Sequence, residues 1–517
     1  MDDLAKRVGG YPAAGILIAL IVVLTLWQPN MNRLGYEHAL PTIGFVLAAA
    51  ALLSALVYLL VRDRARTGIL AGLFAALIFY SVPIVQTIAG SRYVLAGVGL
   101  LLLVTILLAR RVPKGERAVT TNGKLNLLLM PMALAIAALT VWQQWNLERA
   151  RPENRSSFPA FDGKARPGSP DVWHILFDRY ASTDTLARRY AFDNRPFLEE
   201  LRKRGFTVAE GQFSNYQRTG HSVAATMNGE SLDRLAAAMK DRQTDWVPIY
   251  RAIADNRASE FFGAQGYRTI FAGDWWSPTQ RMQADRTINY RAVPELGRKL
   301  LEQTPIGLGL RQLRFPYGDD RSDQCRREKM KFSDLEQIAR DGSRKYVFAH
   351  FLVPHPPFVL AADGTCRSLE DARRSSRRDN YVAQVEFVNA RVLRLIDAIA
   401  SGPRPAVIVI HSDEGPWPEP YVGNEHSFGG DPVSVEWTKV DRGRLREKMG
   451  ILLAVRGPAG PPKVMPASPV QIYPAILTEN FGNRRPITPS RHHVFESDGR
   501  LYTFHDVEST LGLNQAE

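Results

Sequence analysis

The chain has 517 residues and a formal net charge of +13, too long for one ordinary domain. Its two cysteines exclude a disulfide framework and a four-thiolate zinc site. The positive charge comes without a helix-turn-helix, RNP or zinc-finger signature, so no nucleic-acid partner is expected, and a basic face toward anionic lipid fits better.

Apolar residues crowd the first 145 positions. Five stretches there suit membrane spans: Pro12–Gln28, Leu40–Val61, Ile69–Ala89, Tyr93–Ala109 and Leu125–Trp142. Each is near the about 20 residues that a hydrocarbon core requires. A cleavable signal peptide would account only for the first. Lys6, Arg7, Arg62, Arg64, Arg66, Arg110, Arg111, Lys114, Arg117 and Lys124 all fall on one side of this arrangement, and only Arg33 and Arg92 on the other. The positive-inside rule then predicts a cytoplasmic N-terminus and an extracytoplasmic C-terminal domain in a plasma (inner) membrane of bacterial type. Trp27, Trp142 and Trp145 occupy interfacial positions, and the span cores carry no charge, which argues for an anchor and against an ion pathway.

Residues 146–169 read as a polar linker with Pro152, Pro159, Gly163, Pro167 and Gly168. From 170 to 517 short apolar runs alternate with helical patterns. Strands are expected at Val172–Phe177, Tyr267–Ala272, Tyr346–Val353, Ala406–Ile410 and Gly450–Val455. Helices are expected from Ser182 to Gly205, and over Ile253–Gln265, Asn380–Ala400 and Pro469–Phe481. Uninterrupted apolar strands between helices predict an α/β fold, a mainly parallel sheet flanked by helices. Cys325 and Cys366 lie in this region, where one bridge and two unrelated buried thiols are equally open readings.

Ligands of such sheets gather beyond the C-terminal strand ends. Asp178 follows the first strand, Pro354-His355-Pro356-Pro357 another, and His411-Ser412-Asp413-Glu414-Gly415 a third. A single carboxylate after a strand is commonly a helix cap, and adjacent acids in a loop are commonly solvated. Converging from separate strands, they suit a hard divalent cation. Between them Thr219-Gly220-His221-Ser222 reads as a loop entering a helix, where free N–H groups favour an anion. The plain alternative is that Thr219 or Ser222 merely caps that helix.

A strand ending in Asp, a Thr at a helix start some forty residues on and a late Ser-Asp-Glu-Gly turn resemble the alkaline phosphatase/sulfatase superfamily. Thr219-x-x-Ser222 resembles the nucleophile segment of its phosphotransferase branch, and Pro354–Phe358 its histidine loop. The anchor followed by an external domain is similar in architecture to lipoteichoic acid synthases and lipid A phosphoethanolamine transferases. The resemblance implies an alkaline phosphatase-like fold and one divalent metal, Zn²⁺ or Mn²⁺, on Asp178, Thr219, Asp413 and Glu414. It implies Thr219 as a nucleophile forming a phospho-threonine, and His355 as a group binding or protonating substrate. The expected partners are a membrane phospholipid donor and an envelope glycan or lipid acceptor; the alternative activity is hydrolysis of phosphoesters or phosphodiesters.

Two departures stand out. Glu414 occupies a position where many members have His, and no Cys-x-Pro-x-Arg or Ser-x-Pro-x-Arg is present, so formylglycine sulfatase chemistry is not expected. His426, in Asn424-Glu425-His426-Ser427, offers a further metal or substrate contact or is an exposed loop residue.

Overall fold

A computed structural model describes the chain except for residues 1, 154–156, 281, 291–292, 314–319, 424–433 and 514–517. It divides into two compact units, one of residues 1–150 with 293–319, the other of 151–292 with 320–517.

Among the described residues of the first unit four helices are long and apolar enough to cross a membrane: Tyr36–Val61, Arg64–Ala89, Ser91–Arg110 and Gly115–Ala150. The first expected span is a shorter apolar helix, Ala14–Trp27, prolonged by a 3-10 turn over Gln28–Asn30. Its Ala19, Val23, Leu24 and Trp27 share a buried cluster with Val46 and Ala50. Leu296 and Leu300, from the helix Glu295–Glu302, complete that cluster. Small residues let the backbones approach: a Cβ at Gly123 would collide with the Ala5 carbonyl, and one at Gly68 with the Asn122 side chain. Asn122 and Asn126 donate to the carbonyls of Gly9, Tyr11 and Val8 at 2.8–3.0 Å, satisfying backbone groups where the chain turns into the first apolar helix.

Among the described residues, the second unit is built on a seven-stranded mixed sheet. Its strands are β1 (Asp171–Phe177), β2 (Thr207–Ala209), β3 (Arg268–Ala272), β4 (Arg286–Ile288), β5 (Lys345–Phe351), β6 (Ala406–Ser412) and β7 (Leu453–Arg456), in the order β2-β7-β6-β1-β5-β3-β4. From β6 to β4 all pairings are parallel; β7 runs antiparallel to β6 and to β2. β1, β5 and β6 are buried along their whole length, which is why they read as unbroken apolar runs. One face, through Val172 and Leu176, packs with Val223 and Met227 of the helix Thr219–Asn228. The other, through Trp173, Ile175 and Phe177, packs with Phe332, Val385 and Leu395. Each such side chain contributes about 1.5–3 kcal/mol on burial. Polar groups on the first face are paired internally: His174 bonds His411 at 2.8 Å and Tyr473 at 2.7 Å, and Tyr473 bonds Tyr346 at 2.6 Å.

Local readings shift where capping intervenes. The helix expected from Ser182 to Gly205 is two, Thr183–Tyr190 and Arg195–Lys203, because Ala191 turns left-handed at φ 43°. The helix expected over Ile253–Gln265 divides likewise at Asn256, whose side chain caps Arg257–Ala264 through Ser259 N–H. Cys325 and Cys366 form a disulfide, joining the helix Asp320–Ile338 to the segment after β5.

Candidate active site at the ends of the parallel strands

Each functional side chain sits where a strand stops. Asp178 is the first residue beyond β1, and its N–H continues the ladder by donating to Phe351 O at 2.9 Å. Arg179 then takes a left-handed turn at φ 62°, unusual for a residue with a side chain. The turn aims its N–H at Asp413 Oδ1 (3.0 Å), and its carbonyl accepts the Tyr381 hydroxyl at 2.7 Å. From the end of β6, Ser412 Oγ donates to Tyr180 O at 2.6 Å and accepts Leu452 N–H at 3.1 Å. The β1 and β6 termini are thereby fixed to one another, and Asp413 and Glu414 emerge beside Asp178.

Asp178, Asp413 and Glu414 are buried and offer carboxylate oxygens within 4.8 Å of one another. Burial, with Asp178 and Glu414 as neighbours, pushes the Asp413 carboxyl well above its ordinary range, against the opposing pull of Thr219 and the Arg179 N–H. Asp413 Oδ2 and Glu414 Oε2 are buried with no hydrogen-bond partner among the described residues. Three hard oxygen donors, two of their atoms unsatisfied and all removed from water, fit a divalent cation.

Thr219 opens the helix Thr219–Asn228 behind an extended Arg218 with no side-chain cap, so the first N–H groups of the helix face outward from its start. It is near enough to Asp413 to draw that carboxyl's pKa down. The preceding loop is clamped: Gln217 exchanges two hydrogen bonds with the Phe495 backbone, at 2.9 and 3.2 Å. Asn215 O accepts His493 N–H at 2.9 Å. Ser222, the other hydroxyl of the motif, is buried in the helix and its Oγ has no partner among the described residues.

Cations surround the carboxylates. Lys448 Nζ lies 2.5 Å and Arg179 Nε 3.1 Å from Glu414 Oε1. Burial pushes the Lys448 amine down to about 8, with Glu414 opposing. The Trp417 ring carries Arg218 at 4.6 Å, Lys448 at 4.7 Å and Arg179 at 5.7 Å from its centroid. His355 stands in the loop after β5, its Nδ1 against Pro356 O and its carbonyl accepting Gln384 Nε2 at 3.3 Å. Burial, then Arg179, Lys448 and His350 among the nearby charges, hold its imidazole well below the usual range and therefore neutral at pH 7.

The structure thus brings together Asp178, Thr219, Asp413 and Glu414, with His355 beside them; His426 lies outside the described residues. Sequence reasoning missed Arg179, Arg218, Lys448 and His350. His350, on β5, has Nε2 3.5 Å from Asp178 Oδ2 and Nδ1 3.0 Å from Thr279 Oγ1. A histidine interrupting an otherwise apolar buried strand was the available signal.

A mixed, largely parallel sheet with its chemistry at the strand ends defines an α/β enzyme of alkaline phosphatase-like fold. The family model described as Sulfatase matches residues 170–442, more than half of the chain, and the chain belongs to that family. No curated protein matches it. Among solved structures, the C-terminal periplasmic domain of EcEptC from Escherichia coli aligns at 13% identity and a TM-score of 0.41, covering 69% of this chain and 98% of that one. Ps i-CgsB in complex with k-i-k-neocarrahexaose aligns at 14% and 0.39, covering 60% and 72%. The phosphonate monoester hydrolase SpPMH from Silicibacter pomeroyi aligns at 13% and 0.36, covering 61% and 74%. None of the three is close enough to lend this chain a residue role or a substrate.

Proposed function

We propose that this family member is a membrane-anchored, extracytoplasmic phosphotransferase. It moves a phospho-alcohol group from a phospholipid to an envelope glycan or lipid through phospho-Thr219. The observation that carries this reading is the buried cluster of Asp178, Asp413 and Glu414 at the strand ends, with Thr219 opening the helix Thr219–Asn228.

Thr219 Oγ attacks phosphorus, the hydroxyl proton leaves toward Asp413, and the diacylglycerol oxygen departs with a proton from the surroundings. In the second step the acceptor hydroxyl attacks phosphorus and loses its proton, and Thr219 Oγ leaves, taking back the proton held by Asp413. Arg218 and the N–H groups at the helix start balance the charge on the transferred group. The neutral His355 imidazole takes the proton from the acceptor hydroxyl, as a base, rather than giving one up. Lys448 and Arg179 hold Glu414 in place. A divalent cation, Zn²⁺ or Mn²⁺, on Asp178, Asp413, Glu414 and Thr219 would lower the hydroxyl pKa and polarise a phosphoryl oxygen.

The basic loops and the Cys325–Cys366 bridge support an external catalytic domain, since disulfides persist in oxidising compartments. A reporter fused after residue 160 should be active only outside the cytoplasm. The chemistry is tested by mass spectrometry of purified protein incubated with phospholipid, with metal content measured on the same sample. Thr219 should carry the transferred mass, and an added acceptor should remove it faster than water does. Label on another residue, or release to water alone, would refute transfer through Thr219.

A further inference from the structure

Among the described residues, a cavity of about 430 Å³ is lined by four arginines, Arg189, Arg377, Arg378 and Arg444. Two are already committed to acids in its wall, Arg189 to Glu447 at 3.2 Å and Arg444 to Asp441 at 2.9 Å. The remaining two are engaged less closely. Arg378 is exposed, and its Nε donates to the Tyr190 carbonyl at 2.8 Å. The Arg377 side chain is only 10% exposed, yet reaches Glu419 and the Trp417 carbonyl at no better than 3.5 Å each. Its Nε is buried with no hydrogen-bond partner among the described residues.

A guanidinium has five N–H donors in a fixed fork matched to the oxygens of phosphate, sulfate or carboxylate. Withdrawing one from water without saturating those donors is costly unless a ligand completes them. Tyr190 also lines the cavity, giving a polar wall on a second side. The volume suits a sugar-sized ligand. Trp417 links Arg377 to the candidate active site. Arg377 bonds the Trp417 backbone, while the ring of that tryptophan carries Lys448, the partner of Glu414.

We propose that this cavity is a second, metal-independent anion subsite, in which Arg377 and Arg378 grip a non-reacting oxyanion group carried on the water-soluble part of the substrate. The site stands whichever residue is the nucleophile; only its service to the acceptor rests on the transferase reading above.

Full-length protein stripped of metal with EDTA is titrated calorimetrically with inorganic phosphate and with glucose 6-phosphate. Both should bind one to one, competitively, and equally well to Asp178→Ala. Arg377→Gln combined with Arg378→Gln should weaken binding at least tenfold, and Arg377→Lys combined with Arg378→Lys should weaken it less. If the double glutamine variant fails to fold, Arg378→Gln alone, on an exposed side chain, should still weaken binding about threefold. Equal binding by a folded glutamine variant, or no binding by the stripped wild type, overturns the site. Phosphate binding that glucose 6-phosphate cannot displace overturns its role toward substrate. Because metal and Thr219 play no part in this titration, its failure is separable from failure of the transfer reaction.

Discussion

Replacing Lys448 by methionine separates two roles for Glu414, ligand of a cation and counterion of a lysine. The lysine is fully buried, its Nζ 2.5 Å from a carboxylate that is 1% exposed. Breaking such a pair typically costs 3–5 kcal/mol because a buried charge is left uncompensated. Arg179, 3.1 Å from the same oxygen, remains, so the low end applies, about 3 kcal/mol. The catalytic unit has about 340 residues, and at roughly 2.1 cal/mol/K per residue its melting temperature should fall by about 4 °C in EDTA. If Glu414 binds a cation, that cation restores the missing charge. Recovering about 2 of the 3 kcal/mol means that Zn²⁺ or Mn²⁺ binds the variant roughly thirtyfold more tightly than the wild type. Differential scanning fluorimetry of the full-length protein with and without metal, alongside metal titration, reads both quantities. An equal melting loss in the two conditions, with unchanged affinity, would make Glu414 a counterion only. No loss in either would mean that the pair does not support the fold.

Thr219→Ala should retain metal and never acquire the transferred group, whereas Ser222→Ala should keep measurable turnover; intact-mass spectrometry decides, and the reverse pattern would move the nucleophile one turn along the helix. Asp178→Ala and Asp413→Ala should each lose bound metal, since replacing a ligand costs far more affinity than fold; full occupancy by elemental analysis in either would dismantle the ligand set. Burial pushes His174 down to about 3, so its share of stability is complete above the unfolded value near 6.5 and is lost as pH falls below it, by up to about 1.4 kcal/mol per pH unit. The loss of stability between pH 6.5 and 5 should therefore be about 2 kcal/mol smaller in His174→Gln than in the wild type, and equal acid sensitivity would contradict a neutral buried imidazole.

The long-range frame was legible because it is written in continuous patterns. β1, β5 and β6 are buried on both faces and so read as apolar runs, and the residues just past them named Asp178, His355, Asp413 and Glu414. What escaped depends on contacts between distant segments. Lys448 stands in the basic helix Arg442–Met449, whose sequence looks solvent-facing, and only the fold turns that lysine onto Glu414. The edge strand β2 is three half-buried residues with no periodicity to detect. The helix Asp320–Ile338 carries Lys331 and Glu328 into the interior beside Asp274, with Lys331 3.0 Å from Asp274 and 2.9 Å from Glu328, a burial that its charged composition hides.

The Cys325–Cys366 bridge encloses β5, and with it both His350 and the loop bearing His355. Closing a loop of this separation, 41 residues, removes roughly 4 kcal/mol of chain freedom from the unfolded state. A chain whose thiols are reduced lacks that constraint on the segment carrying the two histidines. Closing the bridge stabilises that segment by narrowing the unfolded ensemble, so unfolding around the two histidines should demand more when the thiols are oxidised than when they are reduced.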